Sequence, residues 1–549
     1  MNKFFSKPWQ DVLLIVMVVC GVYGNILGNG FVWDDDAFVV EWGEIRDLGA
    51  NWSRLWAGAV PEGHEGVYRP VRSLLYGVSY SLWGLNATGY HVQGVAIQAL
   101  ASVLVYLIAE ELTKSKVAWA VSGLWFGLQP VHVEAISFVT ASFDSAGVVV
   151  MLAAVWCYLR YVRMARKGWY WASVVLAVVA YFSYELTLVL PILLAVIDWS
   201  VGRLKKKNWG EYLKVYLPYL AANLAYWVVR LHALTIPSGQ ARVYESMSDN
   251  LLLWAVMLVR YASLMLVPMT SVDHLIRPGV SGFYFLDFNF ERRLPGISWL
   301  DLDVLVALLV VAGGVYLAFK SRKKMPLVTL GVLWFGASLV PILTAPSFGI
   351  IFAERWAYLA SVGVAVVVGW GGKEVMAKWL DGHMARWLNG SMVRWVVVGA
   401  VMVGYGYLTI QRNSQWKDSI TLWSGELTKR PESAIMHTNL GLAWRRAGER
   451  DKAIGLFEEA VAINPNNVVS QQALAATYET GGEFEKALPS LLYLIKLNPR
   501  NFAFYIQAAD AYYQLKSYDQ AERYYGLALR IEPEIPYAKK RMAELAGKL

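Results

Sequence analysis

The sequence predicts an all-α protein in two pieces, a polytopic helical membrane domain followed by a solenoid of helical repeats. Three observations predict it. Of 549 residues, 56% are hydrophobic and 17% charged, and the mean hydropathy is +0.38, too apolar for a soluble chain of this size. Apolar runs of membrane-crossing length recur as far as Gln411. Beyond them Pro431, Pro465, Pro499 and Pro533 follow one another at intervals of 34 residues, as do Ala453, Ala487 and Ala521.

Lys3 and Lys7 precede the first apolar run, which lacks a small-residue cleavage signature and so reads as an uncleaved anchor. Eleven runs are expected to cross, near 11–28, 91–112, 116–129, 143–160, 169–183, 186–201, 210–231, 301–319, 327–344, 351–371 and 392–411; the shorter ones tilt or pair. Basic clusters at Lys114 and Lys116, Arg160 to Lys167, Arg203 to Lys207, Lys320 to Lys324 and Lys373 to Arg386 alternate with the other loops, which assigns them to the cytoplasmic side. With a cytoplasmic N-terminus, eleven crossings put the repeats on the non-cytoplasmic, periplasmic or lumenal, side of this multi-pass protein. Leu251 to Val267 would invert that order if it crossed, so it is expected to be re-entrant or interfacial. The formal charge of +8 sits in these topology-setting clusters, and no nucleic-acid partner is expected. Cys20 and Cys157 lie inside apolar runs, so neither a disulfide framework nor a cysteine metal site is indicated.

The 34-residue period is the tetratricopeptide signature. It divides the chain into a membrane domain, 1–411, and a repeat domain, 412–549, with a partial repeat near 414–431, full repeats near 435–465, 469–499 and 503–533, and a cap at 534–549. Small residues at Ala453, Ala460, Ala487, Ala521 and Ala528 let paired helices approach, and the prolines end each second helix. Such an array is a docking surface for a protein acceptor or partner and does no chemistry itself.

The chemistry is sought where the first run ends, in GNGFVWDDDAFVVEW. Carboxylates at a membrane edge are costly to desolvate, so Asp34, Asp35 and Asp36 mark a functional site. The topology puts them on the face that also holds the loops Gln129 to Glu134, Tyr184 to Glu185 and Pro346 to Glu354. Candidates on that face are Asp34, Asp35, Asp36, Arg69, Arg72, His91, His132, Glu134, Asp144, Glu185, Glu354 and Arg355. A carboxylate base beside cations suits glycosyl transfer from a lipid phosphate: the base takes the acceptor proton and the cations neutralise the departing phosphate. Asp36 also reads as a solvated acid or helix cap, His91 as an interfacial anchor, and Glu185 with Arg355 as a buried structural pair. A divalent metal, if one binds, would take Asp34, Asp35, His132 and Glu134, although cationic side chains alone support this chemistry.

The segments GFVWDDDAFVV, YRPVRSLLYGVSYSLWGLNATGYHVQG, LWFGLQPVHVEAISFVTASFD, SYELTLVLPILLAVIDW and AERWAYLASVG occur in an order that resembles the transmembrane-and-tetratricopeptide O-mannosyltransferase-like family. That family belongs to the C-type glycosyltransferase superfamily and is similar to the protein O-mannosyltransferases. The resemblance covers nearly the whole chain, repeats included. It implies an acidic pair at Asp34 and Asp35 with Asp34 as general base, a Tyr-Arg-Pro motif at Tyr68, Arg69 and Pro70, and substrate or lipid-phosphate contacts at Arg69, His91, His132, Glu134, Asp144, Glu185, Glu354, Arg355 and Tyr358. The chain departs from the family pattern at Gln129, where a histidine stands in the family, at Ser142 and Phe143 in place of a basic residue, and at Tyr184 in place of lysine.

The resemblance implies an inverting membrane glycosyltransferase that moves a sugar from a polyprenyl-phosphate donor to a hydroxyl, expected to be a protein Ser or Thr, on the non-cytoplasmic face. Beyond the lipid-linked donor and that conditional metal, no cofactor is indicated. Two other readings stay open, a non-catalytic membrane scaffold whose repeats assemble an envelope or secretion complex, and the same fold acting on glycan or lipid acceptors.

Overall fold

The computed structural model describes residues 8–61, 64, 67–204, 209–233, 247–266, 299–342, 353–383 and 390–547. Among the described residues every regular element is helical and there is no strand. The chain divides into two compact units, Met1–Asp418 and Ser419–Leu549, and the expected boundary at 411 falls inside the helix Gly390–Gln415. Residues 346–352 of the expected site loop, Lys205 to Lys207, Val267 and residues 384–389 lie outside the described residues.

In the first unit each of the eleven apolar runs carries a helix. Four described helical segments are long and apolar enough to cross a membrane: Pro8–Gly28, Ala87–Leu112, Val139–Met164 and Val304–Ser321. The 12-residue helix Lys116–Gly127 spans only about 18 Å at 1.5 Å per residue, well short of a ~30 Å hydrocarbon core, and a further turn at Pro130–His132 prolongs it. Small residues let the backbones close up: a Cβ at Gly331 would lie 2.8 Å from the Gly363 carbonyl oxygen, and one at Gly363 would lie 2.9 Å from that of Gly331. Leu217, Leu220 and Leu224 on Trp209–Ala233, and Leu309, Val310 and Phe319 on Leu302–Ser321, remain exposed, an apolar face suited to lipid.

Among the described residues, the helices Leu48–Trp56 and Pro70–Trp83 lie outside the apolar runs, as does the short Val133–Ser137. Asp47 caps the first, accepting the Ala50 N–H at 2.9 Å. Pro70 starts the second, and as the residue before proline Arg69 is held out of the helical region, at φ −137°. Among the described residues Met247–Leu266 is one uninterrupted helix. Trp254 donates to the Leu339 carbonyl, Tyr261 to that of Ala353, and Gln129 to that of Met265, bonds that tie the helix to the rest of the unit.

The opposite end is pinned by buried carboxylates. Asp198 accepts Tyr158 at 2.5 Å, Tyr216 at 2.6 Å and Arg203 at 2.7 Å, and Glu111 accepts Arg160 and Arg163. These acids are paired because an unpaired buried charge would be far more costly than the pairing.

The second unit is three helix pairs, Ala434–Arg446 with Arg450–Ile463, Val468–Thr480 with Phe484–Leu497, and Phe502–Gln514 with Tyr518–Ile531, flanked by Ser419–Lys429 and Pro536–Leu545. The caps keep the period: Ser433, Asn467 and Asn501 each accept backbone N–H groups of the helix they start. The turns within the pairs need a left-handed residue. Gly448 at φ +82° and Gly482 at φ +74° supply it, and Lys516 takes the same place at φ +59°. No atom lies within 4 Å of a Cβ built at Gly482, so Gly482→Ala isolates the backbone term. It is expected to cost about 1 kcal/mol, read as a lower unfolding midpoint, with Lys516→Ala close to neutral.

Candidate active site

The acid loop is built on a strained residue. Trp33 has φ +53°, a conformation that costs a non-glycine residue about 1–2 kcal/mol and turns the chain so that its neighbours face opposite ways. Asp35 faces inward and is fully buried. Its Oδ1 accepts both the Thr140 N–H and the Thr140 hydroxyl at 2.7 Å, and its Oδ2 accepts the Val32 N–H at 3.1 Å. It thereby satisfies an orphan N–H in the first turn of Val139–Met164 and ties the loop to that helix. Burial pushes its carboxyl up to about 7 despite those hydrogen bonds. Asp34 faces outward, with its side chain 35% exposed and Oδ1 3.9 Å from His64 Nε2. Asp36 opens the turn Asp36–Val40.

Next to this loop lies an arginine-rich floor. Arg69 donates from Nη1 to both Asp144 oxygens, at 2.9 and 3.0 Å, and from Nε to Glu185, while its guanidinium lies 4.8 Å over the Tyr184 ring. Arg72 donates to Asp144 at 3.0 Å, and Arg230 donates to Glu185 at 3.0 Å. Burial opposes the charge on Glu185, but Arg69 and Arg230 outweigh it and hold the carboxyl below its ordinary range. The cations absent beside Asp144 and at Tyr184 are thus supplied from elsewhere in the chain, by Arg72 and Arg230.

A second group meets the first. Arg355 pairs with Glu134 through its guanidinium, and its backbone N–H also donates to Glu134 at 3.2 Å. Its guanidinium lies 5.8 Å over the Trp33 ring. Glu134, Tyr184, Asp144 and Asp34 all lie close enough to act on the Arg355 charge, so Asp34 and both arginine groups share one electrostatic neighbourhood.

Other expected contacts lie deeper. His132 is fully buried, with Nε2 2.8 Å from the Ser361 hydroxyl and Nδ1 3.3 Å from the Gln98 amide. Burial pushes it down to about 3, which keeps it neutral. Tyr358 donates to Gln98 at 2.7 Å in the same network. His91 is buried with Nε2 3.3 Å from the Gly30 carbonyl, packed on the acid loop. Glu354 pairs with Arg412 at 3.1 Å, both side chains buried. The supposed Glu185–Arg355 pair does not form, because Glu185 is taken by Arg69 and Arg230, and Arg355 by Glu134. Nor do Asp34, Asp35, His132 and Glu134 converge on one point. Three of the four are turned to Thr140, Ser361 and Arg355, and among the described residues no group of three or more His, Cys, Asp or Glu is arranged to hold a metal.

Residues 411–468 match the family described as Tetratricopeptide repeat, and residues 447–527 match Anaphase-promoting complex, cyclosome, subunit 3. Over 79% of its length the chain is 24% identical to Protein O-mannosyl-transferase Tmtc1 of Drosophila melanogaster, covering 59% of that protein. It is 23% identical to Protein O-mannosyl-transferase TMTC3 of Mus musculus, over 84% of the chain and 52% of the relative. It is 21% identical to Protein O-mannosyl-transferase tmtc2 of Xenopus laevis, over 80% and 61%. The chain is similar to the protein O-mannosyl-transferases. It spans between about half and three fifths of the length of these relatives.

Sequence reasoning missed Arg230, Tyr261, His64 and Thr140. Arg230 had a legible signal, a lone arginine near the end of an otherwise apolar run, which is costly unless paired or functional. Tyr261, which donates to the Ala353 carbonyl at 2.8 Å, and Thr140, which holds Asp35, carry no local signal.

Proposed function

We propose that this chain is an inverting membrane glycosyltransferase that moves a sugar from a polyprenyl-phosphate donor to a protein hydroxyl on the non-cytoplasmic face. Asp34 takes the acceptor O–H proton as the oxygen attacks the anomeric carbon from the face opposite the phosphate. The carbon–phosphate oxygen bond breaks, its electron pair leaves with the lipid phosphate, and the added negative charge is met by Arg69, Arg230 and Arg355. Glu134, Asp144 and Glu185 hold those guanidiniums in place, and the repeats bind the acceptor protein. The observation that carries this reading is a partly exposed carboxylate, Asp34, in the electrostatic neighbourhood of arginines held on largely buried acids. The names of the relatives support transfer to protein.

The non-cytoplasmic placement is supported by the distribution of basic residues about the site. Arg412 and Asn413, in the last turn of helix Gly390–Gln415, lie on the site end, while Arg160, Arg163 and Arg203 lie at the other. A transfer assay with the full chain, a panel of polyprenyl-phosphate sugars and Ser- and Thr-containing acceptors tests the reading, and no transfer from any donor would sink it. In that assay Arg230→Gln is expected to raise KM for the lipid donor about ten- to a hundredfold, the loss of a charge-assisted hydrogen bond worth about 1.5–3 kcal/mol.

A further inference from the structure

We propose that Asn413 and Trp416, in the segment through which the membrane unit continues into the repeats, are positioning residues for Asp34. The inference rests on Asp34 being the base, and on a set of contacts that the transfer chemistry does not use. Trp33, the left-handed residue next to Asp34, stacks on Phe138 with centroids 5.3 Å apart and planes 15° apart. Phe138 stacks in turn on Trp416, at 5.7 Å and 25°. Trp416 is fully buried, so the three rings form a column with one end at the acid and the other in the exit segment.

Hydrogen bonds run alongside it. Asn413 accepts the Ser137 hydroxyl at 3.0 Å, and its amide donates to the Val22 carbonyl at 3.2 Å and to Asn25 at 2.9 Å. Asn29 donates to the Asn413 and Trp416 carbonyls, at 3.3 and 3.1 Å, and the Gly30 N–H donates to the Lys417 carbonyl at 2.8 Å. The start of the acid loop therefore uses residues 413–417 as its backbone partner. Asp35 anchors the far side of the same turn to Thr140. A left-handed tryptophan persists only where its surroundings over-determine it, and this clasp is what over-determines Trp33.

The test combines two readouts. The first is independent of activity: with Cys20 and Cys157 replaced by serine, the thiol introduced by Asp34→Cys is labelled with a charged maleimide, alone and together with Trp416→Ala, Asn413→Ala or Trp416→Phe. Labelling is expected to quicken several-fold with either alanine and to stay at the parent rate with phenylalanine, which keeps the stack. The second is transfer by the chain with Asp34 intact: kcat is expected to fall about a hundredfold with either alanine at unchanged KM, the effect of displacing a reacting group by about 1 Å, and to recover with Trp416→Phe. If Trp416→Ala does not fold, Phe138→Leu breaks the same column from its middle and takes its place.

Unchanged labelling in the alanine variants overturns the inference whatever the activity, as does quickened labelling with kcat intact. If labelling quickens as expected while the parent chain transfers no sugar from any donor, the positioning of the loop stands and the assignment of the reaction fails.

Discussion

Asp34→Asn is expected to lower the transfer rate by roughly 10²–10⁴-fold, the range general-base catalysis contributes, with KM for donor and acceptor nearly unchanged. The amide has the shape of the carboxylate but cannot take the acceptor proton, and Asp34, unlike the buried Asp35, has a third of its side chain open to solvent. Asp34→Glu moves the carboxylate by one methylene, about 1.5 Å, beyond the roughly 0.5 Å within which a catalytic group must be held, so it is expected to be nearly as damaging. Asp35→Asn should behave differently. It removes the charge that accepts two Thr140 donors and the Val32 N–H, and is expected to lower folded yield and unfolding temperature. Full turnover by Asp34→Asn would remove it from the base role. A scaffold with no chemistry would tolerate Asp34→Glu without change.

Glu354→Ala is expected to destabilise the membrane unit by about 3–5 kcal/mol, because it leaves the Arg412 guanidinium buried without its carboxylate. The double change Glu354→Leu with Arg412→Met is expected to recover most of that loss, since a buried ion pair replaced by well-packed apolar groups is often neutral. Thermal unfolding in detergent reads both. If Glu354→Ala raised KM for the lipid donor and left the unfolding temperature alone, Glu354 would be a substrate contact and its pairing with Arg412 incidental.

Glu354 illustrates where sequence reasoning reached and where it stopped. The motif Glu354, Arg355, Tyr358 read as one set of substrate contacts, yet the fold sends its three side chains to three places: Arg412, Glu134 and Gln98. Spacing along one helical turn says which residues are neighbours, not which face of that turn is occupied. The substitutions at Phe143 and Tyr184 looked like losses of charge. In the structure Phe143 packs on Tyr76 at 4.1 Å, Tyr184 lies beneath Arg69, and Arg72 and Arg230 provide the positive charge. A reader of one sequence sees the cation vanish from its expected position and cannot see another arrive from a different helix.

What was legible depended on short-range regularity. Runs of apolar residues and a 34-residue period were enough to locate a described helix in each of the eleven expected runs and the three repeat pairs, because hydrophobic periodicity acts within a few turns of the chain. The triplet at Asp34 to Asp36 was likewise found from composition alone, since three acids at the end of an apolar run stand out by their desolvation cost. Tertiary structure alone decided which acid is buried and which is open, which arginine serves which carboxylate, and that the acid loop is braced by the segment leading to the repeats. Those choices rest on contacts between residues 105, 221 and 384 positions apart, Asp35 with Thr140, Glu134 with Arg355, Asn29 with Asn413. A buried polar group must find a partner wherever the fold brings one, and no local pattern records where that will be.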